Sequence, residues 1–486
     1  MICAKCGFIY VFFVKNITRK IRIMVKNERG GFGSKLGAIL AAAGSAVGLG
    51  NIWRFPTETG ENGGGAFILI YILCVLLLGM PVMISEFIIG RHSHANTATA
   101  YKKLAPGTPW KWVGRLGVLA GFLILSYYAV VAGWTLEYTV ASLFNRFNAM
   151  ARTGQADVFS RYFERFVSDP VSSVAYTVIF LLLTHVVIVR GVQKGIEKFS
   201  KIFMPVLFVL LVLLMVSSLT MPGAVQGLRF LFLPDFSKID SGVVLSAMGQ
   251  AFYSLSLGMG CLCTYASYFS KDTKLGKTAL SVSVIDTCVA VMAGLIIFPA
   301  VFSVEGVNPD AGPSLLFITL PSIFQTAFGS YPAVAYVFSL LFYLLLVLAT
   351  LTSTISLHEV VTAYMSEAHH MSRKKAAVWV TTGCVVLGTV CSLSMGVLSD
   401  YKLGGMNIFD LFDFVTAKWM LPVGGILISV FVGWHLNKKV IVAEMTNYGT
   451  QKFPVIRTFI FLLKFVVPVL IALIFLNELG LFRLLL

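Results

Sequence analysis

The chain has 486 residues, 57% of them hydrophobic and only 12% charged, and its mean hydropathy is +0.85. A water-soluble protein of this size cannot hide so much apolar surface, and repeated runs of roughly 20 apolar residues each suffice to cross a hydrocarbon core. The net charge of +16 is spread over alternate loops instead of one patch, which argues against nucleic acid and for a polytopic, all-α membrane protein.

In chain order, residues 1–23 read poorly as structure. Their apolar core, Gly7 to Val14, is too short to span, and no small-residue cleavage site follows it. Met24 is an alternative start, and Cys3 with Cys6 forms a lone CxxC without the second pair of a zinc site. About eleven spans are then expected, near 36–58, 66–89, 116–144, 171–189, 196–219, 241–269, 279–303, 331–365, 376–396, 408–433 and 455–478. No Ser- or Pro-rich linker divides them. The reading is a cytoplasmic segment over 1–34, one transmembrane domain over 35–478 and a short extracytoplasmic tail over 479–486. Basic residues gather from Lys15 to Lys35, Arg91 to Arg115, Arg190 to Lys201, Lys271 to Lys277, Arg373 to Lys375, and at Lys438 and Lys439. This positive-inside pattern places the N-terminus in the cytoplasm and, for an odd number of spans, the C-terminus outside. Cys74, Cys261, Cys263, Cys288, Cys384 and Cys391 fall inside apolar spans and read as small core residues.

The first span contains GSAVGLGNIWRFPTETGENGGG, Gly44 to Gly65, whose glycines, asparagines, arginine and glutamates suit neither helix nor lipid. Val47-Gly48-Leu49-Gly50 is echoed five spans later by Leu257-Gly258-Met259-Gly260. Each glycine costs about 1 kcal/mol relative to alanine inside a helix. Close packing through Gly44 and Gly48 would explain one such segment. Two at matching places point to a pair of broken helices with a site near the bilayer midplane, in halves of opposite orientation. Freed amides attract anions and freed carbonyls attract cations. Ser45, Asn51, Ser254 and Ser256 lie beside the breaks, and Asp286 places a carboxylate in the seventh span that needs a cationic partner. Thr352, Ser353 and Thr354 form a hydroxyl-rich patch, although such residues often bond only to their own backbone. Gly195 and Pro205, at the cytoplasmic end of the fifth span, either allow that segment to unwind or mark an ordinary kink.

Enzyme motifs fail. His358-Glu359-Val360-Val361-Thr362 begins like HExxH but has threonine where the second ligand belongs, His369-His370 lies in a loop, and no GxSxG or GxxxxGK[ST] occurs. No organic cofactor is expected.

AAAGSAVGLGNIWRFP with ENGGGAF, GQAFYSLSLGMG with TYASY, and ATLTSTISL resemble the sodium-coupled neurotransmitter/amino-acid symporter family, from about Lys35 to the end of the eleventh span. The family is itself a standard example of inverted repeats with broken helices. The resemblance implies two sodium ions. The first would be held by the Ala46 carbonyl, Asn51, Ser254, Asp286 and the substrate carboxylate. The second would lie among the carbonyls of Gly44, Val47 and Ala349 and the hydroxyls of Thr352 and Ser353. An all-oxygen shell suits such a hard cation. The amides of Leu49 and Gly50, with the Tyr128 hydroxyl, would hold a substrate carboxylate. The carbonyls of Ala46, Tyr253 and Ser254, together with Ser256, would receive an ammonium group. Ile124, Tyr128, Tyr253, Met259, Ser353 and Leu357 would line the side-chain pocket. An outer gate would pair Arg54 with Asp413, with Asp410 as a rival, above a Tyr253 lid and near Gln250. An inner gate would pair Arg29 with Glu367, supported by Tyr268, and Gly195 with Pro205 would let the fifth span unwind.

Departures from the family carry further expectations. Gly48 stands where the amine-transporting branch has aspartate, which favours an amino acid over an amine. Chloride-dependent relatives have asparagine and serine where this chain has Asp286 and Ala290, so transport without chloride is expected. Met259 replaces an archetypal phenylalanine, and its flexibility favours bulky hydrophobic or aromatic L-amino acids. Phe32 replaces a frequent tryptophan at the inner gate, and the twelfth span is absent, as in eleven-helix bacterial hydrophobic amino-acid transporters. The expected activity is symport by alternating access across a bacterial inner membrane, without ATP. An amino-acid-gated channel or a substrate sensor on the same fold is the alternative, and concentrative uptake separates them.

Overall fold

The structure, a computed structural model, describes residues 30–155, 157–304, 315–329 and 331–480. Ser34 Oγ accepts a hydrogen bond from Gly37 N at 3.0 Å and opens α1 (Lys35–Ala46). The helix stops at Val47, and the chain resumes as α2 (Gly50–Glu61), bent 54° from α1. Next come α3 (Gly65–Ser93), the short α4 (Thr97–Leu104) capped by Asn96, and the long α5 (Lys111–Leu143). Asp169 caps α6 (Pro170–Val189), with proline at the first helical position where no amide hydrogen is needed. It is followed by α7 (Val192–Ser218). A second break separates α8 (Ser241–Ser254), capped by Asp240, from α9 (Cys261–Ala266). The remainder is α10 (Leu275–Val301), the short α11 (Leu315–Ala327), α12 (Pro332–Ala368), α13 (Arg373–Leu393), α14 (Ile408–His435), α15 (Lys438–Met445) and α16 (Ile456–Glu478).

Among the described residues, nine helices are long and apolar enough to cross a membrane, and the bent pair α1–α2 makes a tenth. The sequence predicts a further span over 241–269. There the chain is divided between α8 and α9, and neither piece is long enough to cross alone. The long helices α5 and α12 pack against each other, while α1 is held by α7, α10 and α12. Apolar side chains such as Val209, Leu213 and Val469 remain exposed on the outer faces of α7 and α16, as lipid contact requires.

The second break has local causes. Gly258 has φ +86°, and a Cβ there would lie 2.6 Å from the Leu421 carbonyl of α14, so conformation and close approach both demand glycine. Ser256 holds φ +54°, an uncommon region for a residue with a side chain. The amides freed at this break are met by Glu86 of α3. One carboxylate oxygen accepts from Gly258 N at 2.9 Å and the other from Cys263 N at 3.0 Å. The buried carboxylate thus caps α9 where lipid offers nothing. At Gly195 the reason for glycine is contact: the residue lies in a wide helical turn, Val192–Glu197, where a Cβ would meet the Val187 carbonyl at 2.2 Å. In this conformation Pro205 sits inside a helix that stays wound.

Removing the Glu86 carboxylate leaves two buried amides without acceptors, each worth about 1–3 kcal/mol. Glu86→Ala is therefore expected to lower the thermal unfolding midpoint in detergent clearly more than Glu86→Gln, which retains one acceptor. Equal midpoints for the two variants would contradict this capping role.

Candidate substrate and ion site

The two breaks face one another across a cavity of about 50 Å³. Its wall includes Ala46, Gly48, Leu49 and Gly50 from the first break and Tyr253, Ser254, Ser256 and Met259 from the second. Ile124, Tyr127 and Tyr128 of α5, Ser353, Ser356 and Leu357 of α12, and Leu421 of α14 complete it. Leu49 N donates to the Tyr128 hydroxyl at 3.3 Å, Ser256 Oγ donates to the Ser45 carbonyl at 2.9 Å, and Gln250 Nε2 donates to the Gly50 carbonyl at 2.9 Å. A Cβ at Gly48 would stand 2.6 Å from Ser353 Oγ and 3.3 Å from the Tyr128 hydroxyl, so any side chain there intrudes on the cavity.

Two oxygen clusters flank it. In the first, Asn51 Nδ2 donates to Asp286 Oδ1 at 2.7 Å, to the Asp286 carbonyl at 3.1 Å and to Ser254 Oγ at 3.0 Å. Asp286 Oδ2 accepts from Ser254 Oγ at 2.8 Å and from the Tyr71 hydroxyl at 3.2 Å, while Asn51 Oδ1 accepts from Gly48 N at 2.9 Å. Asn51 and Asp286 are fully buried and Ser254 nearly so. In the second cluster, Ser353 Oγ donates to the Val47 carbonyl at 3.1 Å and Thr352 Oγ1 to the Ala349 carbonyl at 2.8 Å. Gly44 packs against Thr352, where a Cβ would be 3.4 Å from that residue's own. All the polar atoms here are oxygens or amides, a donor set that suits a hard cation. Consistently, no group of three or more His, Cys, Asp or Glu fit to hold a metal occurs among the described residues.

The sodium:neurotransmitter symporter family model matches residues 29–151 and 161–484. The chain belongs to this family. A sodium-dependent transporter of Bacillus subtilis, YhdH, is 41% identical over 450 residues, covering 92% of this chain and 97% of the relative. The human sodium- and chloride-dependent GABA transporter 2 is 26% identical, covering 88% of this chain and 77% of that protein. The crystal structure of MhsT in complex with L-phenylalanine is 43% identical and superposes with a TM-score of 0.83, covering 93% of this chain and all of that one. The chain is thus a multi-pass membrane transporter of a sodium-dependent family, and its all-helical fold matches that of MhsT.

At the outer side the ion pairs differ from those expected. Arg54 does not pair with Asp413 or Asp410. Its Nε lies 3.2 Å from Glu58 Oε1, one turn along the same helix, and Nη2 lies 3.6 Å from Glu478 Oε1 at the end of α16. Asp413 instead accepts from the Tyr127 hydroxyl at 2.9 Å, and Asp410 is tied to Asn407, whose side chain caps α14. The Arg54 guanidinium lies 4.7 Å above the Tyr253 ring, so the cation does cover the expected lid. Lys418 shares Glu478 from the other side, at 3.5 Å.

At the inner side Arg29 lies outside the described residues, as do Cys3 and Cys6. Glu367 accepts from Asn96 N at 2.9 Å and Asn96 Nδ2 at 2.8 Å. Tyr268, expected to support Glu367, donates to Glu359 Oε1 at 2.7 Å, and Arg373 grips the same carboxylate with both guanidinium nitrogens. Phe32 packs edge-on against Tyr265 and Tyr268 with centroids 6.0 and 6.1 Å away, so phenylalanine seals this end by aromatic contact. Both ring nitrogens of His358 are engaged, by Thr362 at 2.9 Å and Thr381 at 2.8 Å, which closes the HExxH reading.

Glu86 and Glu359 were legible as charges inside apolar runs, by the same rule that singled out Asp286. Tyr71, Leu421 and Glu478 carried no such signal.

The Arg54–Glu478 pair is part-exposed, with side chains 30% and 25% accessible, so a double-mutant cycle on unfolding should give a coupling of about 0.2–1 kcal/mol. The same cycle on Arg54 and Asp413 in sodium-free protein should give less. The reverse order would restore the expected Asp413 pairing.

Proposed function

We propose that the protein is a secondary active symporter that couples inward sodium flow to uptake of a hydrophobic or aromatic L-amino acid. The observation that carries this reading is the convergence of two helix breaks, one buried carboxylate and two oxygen clusters around one cavity. One sodium ion takes the oxygens of Ala46, Asn51, Ser254 and Asp286, with the Asn51 carboxamide presenting oxygen where its nitrogen now donates. A second takes Gly44, Val47, Ala349, Thr352 and Ser353. The substrate carboxylate meets the Leu49 and Gly50 amides and the Tyr128 hydroxyl and completes the first ion's shell, so ion and substrate each raise the other's affinity. Its ammonium faces the carbonyls of Ala46, Tyr253 and Ser254, and Ser256. Gly48 leaves room for a substrate that brings its own carboxylate.

MhsT, whose complex with L-phenylalanine is the structural neighbour, supports an aromatic side chain in the pocket of Ile124, Met259 and Leu357. The cavity is narrow, and Met259 is the flexible wall that makes room. Asp286 already holds the Tyr71 and Ser254 hydroxyls, the donors an anion would need, which supports chloride independence. Closure over the substrate involves Arg54 above Tyr253, and release inward involves Arg29 and Glu367, with loosening of the helix at Gly195 and Pro205. The transporter unit spans 35–478 in a bacterial cytoplasmic membrane, with the N-terminus inside and the C-terminus outside. Each sodium entering down 100 mV contributes about 2.3 kcal/mol to accumulation.

Proteoliposomes with a sodium gradient should accumulate labelled phenylalanine, tryptophan or leucine above the external concentration, equally in chloride and gluconate. Downhill flux alone would indicate a channel, and binding without flux a sensor. Asp286→Asn is expected to abolish uptake or make it chloride-dependent, and a wild type that already needs chloride would refute the charge argument. Gly48→Ala should weaken substrate binding by about 1–3 kcal/mol through overpacking against Ser353, read by equilibrium binding in saturating sodium. Unchanged affinity would place the substrate elsewhere.

A further inference from the structure

At its Lys- and Arg-rich end α5 presents a ridge to the surroundings. Trp112, Arg115 and Leu119 recur at helical spacing and are all exposed, Trp112 by 59% and Leu119 by 52%. A furrow runs along each side of this ridge. One, of about 730 Å³, lies against Trp110, Val113, Leu116 and Leu427 of α14. The other, of about 600 Å³, lies against Phe122 of α5, Val361 and Met365 of α12 and Trp379 of α13. Arg115 and Leu119 border both, and both linings are almost wholly apolar.

The Arg115 guanidinium sits 4.6 Å over the Trp112 ring and the Lys111 ammonium 5.8 Å from it, and neither has a carboxylate partner among the described residues. Lys102 and Lys103 of α4 add exposed positive charge nearby in the chain. Exposed Trp112 and Trp379 are the side chains that settle where hydrocarbon meets head groups. Two apolar furrows parted by cations at that depth match one amphiphile: chains that need the furrows and a head group that carries negative charge.

We propose that this ridge is a binding site for an anionic phospholipid, its phosphate on Arg115 and Lys111 and its acyl chains in the two furrows. A neutral lipid fills the furrows but leaves the cations unmatched, and a free anion matches the cations but leaves the furrows empty. The occupied site joins α5, α12, α13 and α14 at their basic ends. Of these, α5, α12 and α14 carry Tyr128, Leu357 and Leu421 of the cavity wall, so the lipid braces those walls against one another.

The test uses the full chain in nanodiscs of phosphatidylcholine containing graded phosphatidylglycerol, with native mass spectrometry counting the lipid retained on release and thermal unfolding as a second reading. Wild type should retain phosphatidylglycerol over phosphatidylcholine and gain stability from it. With about 1 kcal/mol, or about fivefold, per cation, Lys111→Gln with Arg115→Gln should cut that retention on the order of 25-fold. Arg115→Lys should keep most of it and shows that loss is not misfolding. Leu119→Trp, which fills the ridge flanks with the charges intact, should also lose retention. Wild-type retention by the double glutamine variant overturns the proposal. Unchanged retention by Leu119→Trp reduces it to diffuse surface charge, and an equal thermal shift from inorganic phosphate reduces it to a free-anion site. Either result rejects the lipid site.

Discussion

A helix interrupted inside a membrane frees amides and carbonyls that hydrocarbon cannot satisfy. That constraint organises the rest of this molecule. The Val47 carbonyl is met by Ser353, the Ser45 carbonyl by Ser256, and the Leu49 amide by Tyr128. The Gly258 and Cys263 amides are met by Glu86. Glu86, Tyr128 and Ser353 arrive on three different helices and Ser256 on the facing break, so satisfying the breaks also fixes how α3, α5 and α12 pack around them. The cavity is what these obligations leave between the two breaks.

Within it the charge balance is spare. Asp286 is surrounded by donors that are all neutral, from Asn51, Ser254 and Tyr71. A buried carboxylate in that setting lacks a compensating positive charge, which is the charge a cation held by the same oxygens would supply. The charges at the two ends of the molecule are instead paired or shared among several partners. Arg54 divides itself between Glu58, Glu478 and the Tyr253 ring, and Glu359 between Tyr268 and Arg373. The Arg54 pairs are part-exposed and weak singly, whereas Glu359 is buried and its two-pronged pairing with Arg373 is costly to break.

Much of the site was visible before any coordinates. Glycine pairs in two spans located both breaks, and the hydroxyls at Thr352 and Ser353 fell where they meet the first break. The family resemblance supplied the pocket residues from α5, which no local pattern marks. The outer gate was read less well. Arg54 lies over the Tyr253 ring, but its partner Glu478 is more than four hundred positions away in the chain, on a helix end whose direction depends on how α16 packs. Tyr71 was silent for a similar reason: an aromatic residue in an apolar run looks like core until its hydroxyl is seen to reach Asp286. Glu86 and Glu359 were written plainly as intramembrane acids, and only their partners were unknown.

Composition, period and glycine placement determined by themselves that this chain is a bundle of membrane helices with two interruptions, because those properties follow from local backbone chemistry and from what lipid tolerates. The choice of carboxylate for Arg54, the capping of α9 by Glu86 and the cluster around Asp286 were decided only by tertiary structure. Each joins groups distant in sequence, and such pairings depend on distances of a few ångströms that helix packing alone sets.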